Sequence, residues 1–275
     1  MRLDIHHHLI NEPQYVDNLV RQMDRLEIER VGLSGLGLKG GTTLGDLSPG
    51  NDAVWNAYQK FPGRIIPFAN FGLGRDDPDN LRRWLDQGFL GLKLTRPRAR
   101  YDDAGYDPIY ELAEARGIPV LFHTGVVLRS GRDAEDGVTS DHMRPITLDR
   151  VTRTFPRLIM VMAHLGMPWH EEAAAMLRFH PNVYADVTFG PGGWLQRAGT
   201  GEYLRELLYW PGAARKLVFG TDVHWSKLAW TIGIQETVIT RLGVGADELA
   251  DFRGRTASSW WDRLVSSFGG GTVAE

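Results

Sequence analysis

The feature that most limits what this chain can become is an alternation, repeated eight times, of short β-rich runs with helical patterns. The runs occupy residues 3–9, 30–36, 65–71, 88–95, 119–123, 158–164, 182–189 and 216–222. Between them lie stretches whose apolar residues recur at helical spacing, among them 15–26, 81–85, 106–116, 148–155, 171–179 and 203–208. Strand followed by helix, many times over, means parallel strands, because a parallel neighbour is reached only by a crossover. Eight such units predict an α/β fold, a single-domain (β/α)8 TIM barrel. A doubly wound open sheet shares the local pattern.

A chain of 275 residues with 43% apolar content is long enough for one such core, and no stretch reads as a linker. One domain over residues 1–275 is expected, with a frayed tail at 269–275 and long loops at 35–50 and 126–144. The net charge of -3, without a block of Lys or Arg, gives no footprint for nucleic acid or an anionic membrane. A small-molecule ligand is the expected partner. With no cysteine, disulfides, thiolate metal sites and a cysteine nucleophile are excluded, which leaves His and carboxylates as strong metal ligands. The N-terminus lacks the apolar core of a signal peptide, and no stretch approaches the ~20 apolar residues of a membrane span, so a cytoplasmic location is expected.

Polar residues cluster where a barrel does its chemistry, at the C-terminal ends of strands. In Asp4-Ile5-His6-His7-His8, strand alternation puts His6 and His8 on one face and His7 on the other, so two imidazoles can chelate one ion. Val120-Leu-Phe-His123-Thr-Gly and Met160-Val-Met-Ala-His164-Leu-Gly are apolar runs that end on an imidazole. Leu217-Val-Phe-Gly-Thr-Asp222 ends on a carboxylate, which is costly to bury without a metal or hydrogen bonds. Each signal alone has a plain structural reading; together they point to a metal centre.

These residues, with Gly88-Phe-Leu-Gly-Leu-Lys93-Leu and Tyr106-Asp-Pro-Ile-Tyr-Glu-Leu-Ala, resemble the ordered signature of the amidohydrolase superfamily. The likeness is to its amidohydrolase-related branch, which includes lactone hydrolases and non-oxidative decarboxylases such as aminocarboxymuconate semialdehyde decarboxylase. One departure is the closing segment, Gly254-Arg-Thr-Ala, where the branch has a Gly-Asn-Ala turn. The resemblance implies that His6, His8, His123 and Asp222 hold one divalent ion, Zn²⁺ first, with Mn²⁺ or Fe²⁺ tolerated. It also implies that His164 is the acid/base, with Asp222 as a second proton shuttle. Lys93 stands where binuclear relatives carry a carbamylated lysine; the minority reading is two ions, the other a substrate-binding or salt-bridged lysine.

For substrate binding the candidates are Lys93, Arg96, Arg144, Trp169 and Trp225, with Arg98 and Trp194 beside them, since a guanidinium fork suits a carboxylate. His224 lies close enough to Asp222 to reach the site, whereas His142, His170 and His180 read as surface residues. Trp260 and Trp261 pack either on the barrel or on a partner subunit, which allows a homodimer. The expected activity is hydrolysis of a small, carboxylate-bearing ester, lactone or amide by metal-activated water. The competing readings are a carboxy-lyase acting on an aromatic or unsaturated acid, and a barrel that binds without turnover.

Overall fold

The computed structural model describes residues 2–36, 49–129, 131, 133–188, 193–197 and 199–261; most of the expected loop at 35–50, the end of the seventh run and the tail at 269–275 lie outside them. Eight parallel strands form one sheet: β1 (Arg2–His8), β2 (Ile28–Ser34), β3 (Ile65–Phe71), β4 (Gly91–Leu94), β5 (Val120–Phe122), β6 (Met160–Met162), β7 (Val183–Asp186) and β8 (Leu217–Val218), each paired with the next. The first and last also meet. Ile5 N–H donates to the Phe219 carbonyl at 3.1 Å, and the N–H groups of Thr221 and Asp222 donate to the His6 carbonyl at 3.2 and 2.7 Å. The sheet therefore closes into the expected (β/α)8 barrel, and an open doubly wound sheet, whose edge strands stay apart, is excluded.

The helices are α1 (Tyr15–Arg25), α2 (Asn51–Lys60), α3 (Pro78–Gln87), α4 (Asp107–Arg116), α5 (Leu148–Thr154), α6 (His170–Phe179), α7 (Thr200–Leu207), α8 (Leu228–Arg241) and the short α9 (Ala246–Ala250). Their ends follow ordinary capping chemistry. The Asp77 side chain accepts from Asp79 N–H at 2.9 Å, Pro78 opens α3, and Gly88 ends it at φ 118. This left-handed Gly88 is why β4 starts at Gly91 and not at residue 88, where the apolar run begins. In α1 the buried residues Tyr15, Leu19, Val20 and Met23 form the stripe that docks on the barrel.

Two close approaches hold the ends of the barrel. Phe219 N–H donates to the Phe252 carbonyl at 2.9 Å, and at Gly254 (φ 159) a Cβ would lie 2.7 Å from Leu3 N. The glycine of the closing segment is thus required where the chain crosses beneath β1. Trp260 and Trp261 are buried against the same barrel, with Trp261 Nε1–H donating to the Leu90 carbonyl at 2.9 Å. No helix among the described residues is long and apolar enough to cross a membrane.

Candidate metal centre

Alternation along β1 sends its histidines where the sequence places them. His7 faces outward into a buried seam, with Nδ1 3.0 Å from Thr221 Oγ1 and Nε2 3.0 Å from the Tyr15 hydroxyl. His6 and His8 face inward, their Nε2 atoms 3.2 Å apart. Asp222 Oδ1 lies 3.7 Å from His6 Nε2 and 3.3 Å from His8 Nε2. Among the described residues these three form a group whose ligand atoms all lie within 4.8 Å of one another. Two imidazole nitrogens and a carboxylate oxygen so close together fit a divalent ion of intermediate softness.

Three more groups border this trio. Lys93, only 2% exposed, places Nζ 2.9 Å from His6 Nε2. His123, at the end of β5, and His164, just past β6, face each other with Nδ1 and Nε2 3.3 Å apart. His123 Nε2 is buried with no hydrogen-bond partner among the described residues. His164 leaves the strand in a left-handed backbone turn (φ 58), as Asp222 does past β8 (φ 48), and each turn swings a side chain over the barrel mouth.

Two fully buried carboxylates that sequence reasoning did not single out brace the set. Asp4 Oδ1 accepts from His6 N–H and from Thr221 N–H, both at 3.0 Å, and Oδ2 accepts from the Thr221 hydroxyl at 2.5 Å, tying β1 to the segment that carries Asp222. Asp186, at the end of β7, accepts from the ring of His6 at 2.8 Å and from the backbone of His164 at 2.9 Å. Ser34 Oγ lies 3.1 Å from His8 Nδ1.

Burial governs the charges. It lowers His6, His8 and His164 well below the ordinary histidine range, reinforced by positive neighbours: Lys93 for His6, His6 for His8 and His123 for His164. Burial, then the Lys93 charge, takes His123 down to about 3. Burial pushes Asp222 up to about 7, opposed by Lys93, and Lys93 down to about 8, opposed by Asp222 and Asp186. At neutral pH the imidazoles are therefore neutral and offer lone pairs, the form in which histidine binds metal.

The centre forms the floor of a cavity of about 340 Å³, which Lys93, Thr95 and Arg96 border on one side and Ile10, Val127, Leu128 and Val223 on others. Arg96 is buried there, its guanidinium donating to Asp133 and to the Leu128 carbonyl. His224 also lines the cavity, with Nε2 2.8 Å from Glu12 Oε2.

Three of the expected substrate residues are not among those lining the cavity. Arg144 turns to Glu172, and its guanidinium lies 5.3 Å over the Trp169 ring, so these two brace the start of α6. Trp225 packs beside His224 with ring centroids 4.9 Å apart. Trp194 is likewise absent from the lining; its Nε1–H donates to the Thr188 carbonyl at 3.0 Å. Arg98 is half exposed and pairs with Asp136 at 3.3 Å. His170 and His180, expected on the surface, are buried: His170 packs 4.6 Å from the Trp194 ring and His180 Nε2 lies 3.0 Å from Asp149. Helix packing, invisible in single residue types, covers both.

Solved structures share this architecture. An uncharacterized TIM-barrel protein from Bordetella bronchiseptica matches with 21% identity over 90% of this chain and 82% of that one, at a TM-score of 0.68. A dihydroxybenzoic acid decarboxylase from Polaromonas sp. JS666, solved with manganese and the inhibitor 2-nitroresorcinol, matches with 17% identity over 95% and 96%, at 0.65. The 4-oxalomesaconate hydratase from Rhodopseudomonas palustris matches with 15% identity over 98% of each chain, at 0.62. Such identities establish the fold alone. No curated protein sequence matches significantly. The amidohydrolase family model matches residues 3–263, which takes in the eight strands but for Arg2 and every residue of the centre, and the chain belongs to that enzyme family.

Proposed function

We propose that this chain is a metal-dependent hydrolase of a small ester, lactone or amide that bears a carboxylate. The observation that carries the reading is the convergence of His6, His8 and Asp222 within 4.8 Å on the cavity floor, with His123 and His164 beside them. His6, His8, Asp222 and His123 would hold one ion; Zn²⁺ would suit these donors best, and Mn²⁺ or Fe²⁺ would fit as well. When bound, such an ion supplies a Lewis acid and brings the pKa of water from 15.7 toward about 7. His164 takes a proton from the attacking water and returns it to the leaving group, with Asp222 as a second shuttle. Arg96 holds the substrate anion and the neutral Lys93 amine donates a hydrogen bond beside it, while the apolar wall of Ile10, Val127, Leu128 and Val223 keeps bulk water out.

A carboxy-lyase is the second reading. It is favoured by Arg96, a cation that borders the same cavity and suits the carboxylate of an aromatic or unsaturated acid, with the Lys93 amine beside it. Metal analysis of the purified protein beside His6→Ala tests the centre, with about one ion per chain expected and lost in the variant. Two ions per chain would make Lys93 a bridging carbamate instead. A panel of lactones, esters and amides followed by acid release, and of aromatic acids followed by CO₂, separates the two reactions. Reproducible absence of metal, or full activity in Asp222→Asn, would overturn both.

A further inference from the structure

We infer that Asp186 is a positioning residue that fixes the imidazole proton of both His6 and His164 on Nδ1, so that both Nε2 lone pairs face the cavity. The inference deepens the functional reading above by saying how the centre's proton positions are set, and it rests on hydrogen-bond geometry.

The Oδ1 atom of Asp186 accepts three hydrogen bonds: from His164 N–H at 2.9 Å, from Thr188 N–H at 3.0 Å and from the Thr188 hydroxyl at 2.6 Å. Three donors fill that oxygen and leave no room for a proton of its own. The single hydroxyl hydrogen of Thr188 is thereby committed. Yet Thr188 Oγ1 also lies 2.6 Å from His164 Nδ1, a contact that needs a hydrogen between the two atoms. The remaining source is His164 Nδ1–H, which places the ring's lone pair on Nε2, the atom that faces His123. The other oxygen of Asp186 repeats the logic directly: Oδ2 lies 2.8 Å from His6 Nδ1, so the ring donates there and its bare Nε2 is the atom that Lys93 Nζ approaches at 2.9 Å. One carboxylate, wholly buried, thus orients a metal-binding ring with one oxygen and, through a threonine, an acid/base ring with the other.

The two arms separate by mutation. In Asp186→Asn only one end of the side chain still accepts. The two backbone N–H groups draw the amide oxygen to the Oδ1 position, the amide nitrogen then faces His6, and the His6 proton must move to Nε2. In Thr188→Val a methyl replaces the hydroxyl at nearly equal volume, so His164 alone loses its Nδ1 partner.

The test is two-bond ¹H–¹⁵N correlation of histidine rings in chelator-treated, metal-free full-length protein, with His6 and His164 assigned through their Gln variants, beside titration with zinc alone. The expected wild-type pattern is Nδ1–H at both rings. Thr188→Val should change the His164 pattern and leave zinc affinity within about threefold, whereas Asp186→Asn should change His6 and weaken zinc binding about 10–100-fold. Nε2–H at either ring in the wild type, or both patterns unchanged in both variants, overturns the assignment; if Asp186→Asn fails to fold, Thr188→Val decides through His164. The spectra need no turnover, so a protein that hydrolyses nothing on the panel refutes the functional reading and leaves this assignment to be judged on its own data.

Discussion

Zinc affinity should fall as pH is lowered from 8 to 5, by about one decade per pH unit just below 8 and about two decades per unit below 7, one for each proton that the ion displaces. The two protons come from named groups. Asp222, raised to about 7, is protonated below that pH in the metal-free protein and must ionise to bind. Lys93, lowered to about 8, holds its proton below that pH, and its Nζ sits 2.9 Å from the His6 nitrogen that the ion needs. An ammonium in contact with a ligand of a divalent ion would be repelled by several kcal/mol even at an effective dielectric of about 20. Shedding the proton at pH 6 costs about 2.7 kcal/mol, at about 1.36 kcal/mol per unit, so deprotonation wins. The imidazoles add nothing, because burial already keeps them neutral. By pH 6 the two groups together weaken binding about a thousandfold, or about 4 kcal/mol. Titration against a chromophoric chelator across this range reads the slope, and calorimetry in two buffers counts the protons. Lys93→Met should remove the limb below 8 and, because Lys93 holds the Asp222 carboxyl down, start the remaining limb above 7. A slope of four or more would mean that the histidines protonate in the metal-free state. A slope that stays at about one decade per unit below 7 would remove Asp222 from the ligand set.

Gly125→Ala should lower stability by about 2–5 kcal/mol and Tm by roughly 5–15 °C, because the new Cβ would lie 2.1 Å from the Met167 carbonyl oxygen at a backbone φ of 105. A melt within about 2 °C of wild type would contradict the steric account. Arg96→Met should raise KM about 10–100-fold for the substrate the panel identifies, with kcat changed little, since the proposed charge-assisted hydrogen bond to the substrate carboxylate is lost. An unchanged KM would remove Arg96 from substrate binding. Arg144→Ala should leave kcat/KM within about twofold, as expected away from the working groups, because its guanidinium is engaged with Glu172 and Trp169. A tenfold loss would show that the loop carrying Arg144 turns inward during turnover.

What the sequence made legible was strand ends. His6, His8, His123, His164 and Asp222 each interrupt an apolar run, and burying a polar group there needs a reason; the structure gathers all five round one cavity. Asp186 obeys the same rule, but the run continues through Val187 and Thr188, so its place did not mark it as a strand terminus. The cost of burying a carboxylate was the signal that marks it. Residues past the strand ends were harder, because a loop's path and not its composition aims its side chains. Arg96 reaches the cavity, while Arg144, on a loop that ends one strand later, is captured by Glu172.

Among the described residues, Arg96, His164 and Asp222 hold left-handed backbone angles, φ 53, 58 and 48, in a region that costs a side-chain-bearing residue about 1–2 kcal/mol. Glycine at any of the three would relax the chain. A redesign scored on thermostability alone would therefore rank these proposed working positions among its first substitutions, and would converge on a sturdier barrel stripped of its arginine, its acid/base and its carboxylate ligand. Engineering of this scaffold for new substrates should hold those three positions fixed and seek its margin of stability in the helices of the outer ring.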